Sequence, residues 1–482
     1  MAVLQQARAK SWADETRCAG YDQSHERVPP DGTVLTKGFS DDTVTGIRLF
    51  SAPSVKMRRD NGKISPRRVV VSGLGVVSPN GIGRDAFWRA TRAGVSGVRT
   101  ISLFDSTSHP CRIAGEASDF RPENYLSPKE LKRVGRAVPM AIAATREALE
   151  AARVDMQSTT LEERRSWGVI LGSGGGTPDF TEEQYRLYFS DLLRKTSAYG
   201  VSSSTIGSLS SEISLAFDLR GPSHVVSTGC TSSTDAIGYA FNLIRFGLAD
   251  RLVTGGVDAT ITPAIMQGFA TMRVISSSHN DDPQSASRPF DRLRDGFVLG
   301  EGAWILVLEE REQALTRGAP ILAELLGYGS TCDAYHMVRL DPSGEEPARA
   351  MSLAIQDAGL AKDEVSYVAL HGTSTILNDR TETQAVKICF GRRAYDIPTS
   401  SIKSMIGHPQ GASGAAGLAA TILALNDGFL PPTINYRESD PECDLNYLPN
   451  RGVARETEVA LCNCIAFGSK NSALVVARAN GQ

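Results

Sequence analysis

The chain has 482 residues, 41% apolar and 22% charged, with a formal net charge of -3. That length accommodates two core-forming units or one large duplicated domain, and the balanced charge excludes the basic field that nucleic-acid binding needs. Eight cysteines, at 18, 111, 230, 332, 389, 443, 462 and 464, show neither zinc-site pairing nor disulfide-rich density, which predicts a reducing, cytoplasmic setting with no metal. No apolar run approaches the roughly 20 residues of a membrane span, and no secretion signal opens the chain, so a soluble protein is expected.

Residues 1–66 mix charge, Gly, Pro and Ser without a sustained period and read as a flexible extension ending in the basic stretch "KMRRDNGKISPRR". From Arg68 the pattern turns αβ. "RVVVSGLGVVS" (68–78) reads as a buried strand, "AFWRATRAG" as a helix and "WGVILGSGGG" (167–176) as a second buried strand. "RLVTGGV", "AWILVLEE", "AELLGYGS", "VSYVALHG" and "VALCNCIAFGS" continue the series with helical stretches between, which predicts stacked, largely parallel sheets covered by helices. The glycines of "SGLGVVS" and "GSGGGTPDF" lack the remaining residues of a nucleotide fingerprint and read as tight strand exits.

In "SHVVSTGCTSSTDAIGYAFNLIRFG" (223–247) a strand gives way to Ser, Thr and Gly, and Cys230 falls at the seam. Apolar residues at 236, 237, 240, 241 and 244 then mark one face of a helix, with Thr231, Ser232 and Ser233 at its start. The helix end favours negative charge there. A dipole worth about 0.3 to 2 kcal/mol lowers a thiol pKa of about 8.5 by at most roughly 1.5 units. Further along, "VSYVALHGTSTILND" places His371 directly after a strand, and "TSSIKSMIGHPQGASGAAGLAATILAL" places Lys403 and His408 before a long apolar helix. One nucleophile, two histidines and a lysine at the ends of buried elements form a candidate catalytic set.

Together "STGCTSS", "SRPFDRLRDGFVLGEGA", "HGTST", "SIKSMIGH" and "PPTINY...DPECDLNYLPN" resemble the elongating β-ketoacyl-ACP synthases of fatty acid and type II polyketide assembly, over residues 68–478. The resemblance implies an α/β thiolase-like duplicated fold, two βαβαβαββ halves (67–315 and 316–482) in a five-layered αβαβα core. It also implies that Cys230 carries the acyl chain as a thioester, with its own N–H and that of Phe467 as oxyanion hole. His371 and His408 would stabilise the enolate formed by decarboxylation, Lys403 would act through charge with Glu301 as its supporting carboxylate, and Thr373 and Thr375 would contact the phosphopantetheine arm. Implied partners are an acyl carrier protein and a second subunit, in a homodimer or in a heterodimer with a chain-length-factor-like chain; no cofactor is implied.

The chain departs from the fatty-acid members at Gly229, where alanine is common, and "NDDPQSASRPF" and "DAYHM" look closer to polyketide subunits, whereas "HGTST" looks closer to the fatty-acid enzymes. The usual Gly-Phe-Gly-Gly loop reads Ala466-Phe467-Gly468-Ser469, which predicts a stiffer phenylalanine gate. "GHPQGASGA" also resembles thiolases, for which Cys464 is the only nearby second cysteine. Chain-length factors lack the nucleophile that Cys230 supplies.

Overall fold

In the computed structural model the described residues are 66–479 and the two-residue strands Arg59–Asp60 and Lys63–Ile64. The remainder of the extension expected over 1–66 lies outside the described residues.

The first half runs β1 (Val69–Ser78), α1 (Ala137–Ala151), β2 (Trp167–Gly172), α2 (Ser208–Phe217), β3 (Ser223–Val226), α3 (Ser232–Arg245), β4 (Arg251–Asp258) and β5 (Gly302–Glu310). The second runs β6 (Ala323–Cys332), α4 (Glu345–Asp357), β7 (Tyr367–Ala369), α5 (Ile376–Phe390), β8 (Thr399–Ser400), α6 (Ser413–Asp427), β9 (Val459–Ala466) and β10 (Lys470–Arg478). Each half reads βαβαβαββ.

Strand order repeats as well. The first half lies β1-β5-β4-β2-β3 and the second β6-β10-β9-β7-β8, so every strand has its counterpart five positions later. In both, the first two pairings are antiparallel and the last two parallel. The halves join where Ala323–Leu325 of β6 pairs with Val69–Val71 of β1.

Helices α3 and α6 pack against each other and against strands of both halves, whereas α1 and α2 cover the outer face of the first half and α4 covers that of the second, with α5 packed on α4. The layers are therefore α, β, α, β, α. Side-chain alternation along β5 shows why: Trp304, Leu306 and Leu308 belong to the central cluster with α3 and α6, and Ala303, Ile305 and Val307 to the outer cluster with α1. In β10, Leu474 and Val476 face inward while Ala473 and Val475 face the outer cluster with α4. Each such large side chain taken wholly out of water contributes about 1.5–3 kcal/mol.

Two expectations are corrected. The sheets are mixed rather than largely parallel, because strands buried on both faces read alike whichever way they run. The glycines of "SGLGVVS" are not a strand exit but lie inside β1: a Cβ on Gly73 or Gly75 would sit 2.0 Å from the backbone oxygens of Ala148 or Ala144, so their absent side chains seat α1 on the sheet.

Candidate active site

Between β3 and α3 the chain makes a tight turn. Gly229 has φ +73, and Ser232 closes the turn by accepting the Thr228 N–H (2.9 Å) and donating to the Gly229 carbonyl (2.5 Å). Cys230 thereby sits two residues before α3, buried, at the floor of a cavity of about 240 Å³. The helix was expected to acidify this thiol; burial instead pushes its pKa up to about 11, against the opposing influence of the Lys403 charge and the Phe467 N–H. A field worth at most about 2 kcal/mol at a helix end does not offset the loss of hydration of a buried thiolate. Cys230 rests as a neutral thiol.

The remaining groups come from the second half. His371 follows β7, and His408 lies between a four-residue helix, Lys403–Ile406, and α6. Cys230, His371 and His408 each bring a sulfur or ring nitrogen within 4.8 Å of the others, all three buried. The hydrogen bonds fix the proton on each ring. The backbone N–H of Gln410 reaches His408 Nδ1 at 3.2 Å, with Ser413 Oγ at 3.0 Å, so Nδ1 accepts and Nε2 carries the hydrogen. Lys403 Nζ lies 3.3 Å from His371 Nδ1 and donates to the His371 carbonyl at 2.8 Å, giving the same tautomer. Burial and then the Lys403 charge hold both imidazoles well below their usual pKa, with His408 a further influence on His371. Two neutral rings thus hold N–H donors beside the thiol.

The other expected residues divide. Phe467 lies in the turn between β9 and β10, lines the cavity with Cys230, and its N–H and that of Cys230 favour the charged form of the thiol. Thr373 and Thr375 line the cavity with their hydroxyls 2.9 Å apart. Glu301 is not brought to Lys403: its carboxylate takes Arg136 at 2.7 and 2.9 Å and the Ala117 N–H at 2.9 Å. The supporting carboxylate on the Lys403 side is Glu382, which accepts the N–H groups of His371 and Gly372 and the Asn463 amide, each at 2.7 Å. Burial pushes its pKa up to about 7 and lowers that of Lys403, a lowering that the negative charges of Cys464 and Glu382, when present, oppose.

Sequence reasoning also missed Asp258, at the end of β4, which accepts the Gly174, Gly175 and Gly411 N–H groups and so anchors the loop beside His408. An acid closing the buried run "RLVTGGVD" was its signal; Glu382, in the polar stretch "RTETQ", had none. Cys464 lies behind His371: its thiol donates to the Cys230 carbonyl (3.1 Å), contacts His371 Nδ1 (3.3 Å) and is pushed up to about 12 by burial. Cys230, His371 and His408 are also the one group among the described residues whose donors converge as metal ligands would, but the Lys403 ammonium against His371 disfavours a cation.

Residues 66–314 match the beta-ketoacyl synthase N-terminal domain, and residues 322–437 match its C-terminal domain. The chain belongs to the beta-ketoacyl synthase family. Among its relatives, a 3-oxoacyl-[acyl-carrier-protein] synthase 2 of Synechocystis sp. is 40% identical over 85% of this chain and 98% of its own length. The ketoacyl synthase alpha subunit of the tetracenomycin polyketide synthase of Streptomyces glaucescens is 43% identical over 86% and 97%. Among solved synthases, the ishigamide ketosynthase/chain length factor superposes with a TM-score of 0.80 at 34% identity, over 86% of this chain and all of that one. A type II polyketide ketosynthase bound to a hexaketide, in complex with its acyl carrier protein, gives 0.79 at 32% over the same shares.

Proposed function

We propose that this chain is a β-ketoacyl-[acyl-carrier-protein] synthase that joins an acyl thioester to malonyl-ACP by decarboxylative Claisen condensation. The observation that carries the reading is the meeting of one thiol with two neutral imidazoles whose outward nitrogens bear hydrogen. Cys230 attacks the acyl carbonyl, and the negative oxygen rests on the N–H groups of Cys230 and Phe467. The carrier's thiol leaves with the proton that Cys230 gives up.

Malonyl thioester then loses carbon dioxide. The electron pair of the broken carbon–carbon bond moves onto the thioester oxygen, where His371 and His408 donate to the enolate. Its carbon attacks the acyl-Cys230 carbonyl, and the tetrahedral adduct expels the Cys230 sulfur, which takes up a proton again. Lys403, supported by Glu382, keeps His371 in the donating tautomer. Thr373 and Thr375 contact the arm that delivers each substrate. No separate cofactor enters the sequence.

Two exposed arginines at the cavity mouth, Arg273 and Arg339, suit an acidic carrier protein. Residues 67–315 and 316–482 act as the two halves, the first supplying the nucleophile. A second subunit, identical or of the chain-length-factor kind, docks on the first half, and the protein works in the cytoplasm; among the described residues no helix is long and apolar enough to cross a membrane.

The thiolase alternative needs a second cysteine facing substrate, and Cys464 is turned away from the cavity towards Cys230's carbonyl. Incubation with a panel of acyl-ACPs and malonyl-ACP is expected to give β-ketoacyl-ACP, with an acyl adduct by intact mass that Cys230→Ala abolishes. The product's mass after repeated turnover separates one extension from a polyketide chain. A stable adduct on Cys230→Ala, or product from acetyl-CoA alone, sinks the reading.

A further inference from the structure

Two of the walls of the cavity above Cys230 come from distant parts of the chain. One is the end of β9 with its turn, Ile465 to Phe467; the other is Val338 to Leu340, in the loop after β6. Its roughly 240 Å³ falls below the about 300–1,000 Å³ of ordinary small-molecule sites, so how firmly its walls are tied bears on the entry of an acyl chain with its thioester arm.

The side-chain tie between these walls is Ser469. Its hydroxyl accepts the N–H groups of Tyr335 and His336, each at 3.3 Å, and donates to the His336 carbonyl at 3.0 Å. Backbone bonds run alongside: Gly468 N–H to the Met337 carbonyl, and Asp333 N–H to the Ser469 carbonyl, both 2.8 Å. His336 passes the restraint on, because its Nδ1 accepts the N–H groups of Val338 (3.0 Å) and Arg339 (3.1 Å), which line the cavity. Between β9 and β10 the turn has three residues, Phe467, Gly468 and Ser469, the last two at φ +79 and +64.

That geometry favours glycine at both positions. Gly468 obeys. Ser469 does not, and the feature its residue type adds is the hydroxyl that bridges the two walls. Ala466, by contrast, lies within β9 with no positive φ, so of the two departures in "AFGS" only Ser469 bears on the turn.

We propose that Ser469 is a specificity-determining clasp: it ties the Phe467 turn to the 335–340 loop and so limits how readily long acyl chains reach Cys230. This rests on the reading of Cys230 as an acyl carrier. The wild type, Ser469→Gly and Ser469→Ala are compared by two readouts. Iodoacetamide alkylation of Cys230, followed at fixed pH by peptide mass mapping that counts exposed Cys332 separately, reports access to the thiol without any acyl chemistry. Single-turnover loading from hexanoyl-ACP and palmitoyl-ACP reports selectivity. Glycine fits the φ of this position, so Ser469→Gly removes the clasp without straining the turn.

Both variants are expected to alkylate about 5-fold faster and to raise the palmitoyl-to-hexanoyl loading ratio about as much, the size of effect one lost hydrogen bond carries. An alkylation rate or a loading ratio unchanged from wild type in both variants overturns the clasp. Should no protein load any acyl group while alkylation still rises, the clasp on access stands, selectivity is lost with the acyl-carrier reading, and it is that reading which fails.

Discussion

The two halves share strand order, strand direction and connections, yet they contribute unequally to the site. At the start of α3 the first half places a thiol, Cys230. At the start of α6, the corresponding helix, the second half places Ser413, whose hydroxyl meets His408 Nδ1. The second half also supplies His371, Lys403 and Phe467. Duplication thus brings two helix starts together at the centre of the molecule, and in the proposed reaction substitution at those starts divides the labour: one half would hold the acyl chain, the other would handle the charge that develops.

The most severe test of that division compares the two kinds of residue. His371→Ala and His408→Ala are each expected to lower condensation by about 10²–10³, the size associated with losing one donor to a developing oxyanion, while still loading an acyl group on Cys230. Intact mass and product yield on the same samples separate the steps. Loss of loading in either histidine variant as complete as in Cys230→Ala erases the distinction between halves.

A second test asks how far charge in one half reaches the thiol of the other. With its pKa raised to about 11, Cys230 is protonated at neutral pH, and its thiolate fraction grows as pH climbs towards that value. Alkylation by iodoacetamide should therefore rise about tenfold per unit between about pH 7 and 10, without a plateau near the usual thiol range around 8.5. Lys403→Ala removes a positive charge that lowers this pKa, so at pH 8 it is expected to slow alkylation about 3- to 10-fold, with Lys403→Arg recovering part of the loss. A plateau near 8.5, or an unchanged rate in Lys403→Ala, contradicts the electrostatic account. Because burial and Lys403 also keep both histidines neutral, condensation on enzyme already acylated at Cys230 should show no fall from imidazole protonation as pH drops through about 6.5, any step near 7 belonging to Glu382.

Some of this was legible in the residues and some was not. The seam at Cys230 and the strand-end position of His371 follow from local pattern alone, and the five layers came from the resemblance rather than from periodicity. Glu301 was misassigned because a carboxylate's partner depends on what folding brings beside it, here Arg136, 165 positions away. The sign of the Cys230 shift was missed for a related reason: a helix start can be read from sequence, whereas complete burial by elements from both halves cannot. Strand direction was misread because burial on both faces removes the alternation that distinguishes one kind of sheet from the other.

The smallest expected effect on chemistry comes from the outer edges, where the halves differ again. β8 is buried, and Thr399 donates to the Asn446 carbonyl at 2.8 Å, which closes that edge. β3 keeps Ser223 and His224 exposed, with Leu215 (73% exposed) and Tyr199 (50%) in the hollow beside it. An open strand edge flanked by apolar side chains suits a second subunit, and in a two-fold pair each substitution meets its own copy or lies close to it. His224→Glu with Leu215→Glu places like charges across that contact. Light scattering should find the wild type as a pair and the double variant as single chains, with melting shifted little, since exposed substitutions usually change stability within about 0.5 kcal/mol. Acyl loading should stay within about 2-fold, because His371, His408 and Phe467 beside Cys230 come from its own chain. A double variant that still pairs removes β3 as the docking edge, and a variant that loses loading along with pairing shows that the second subunit completes the site.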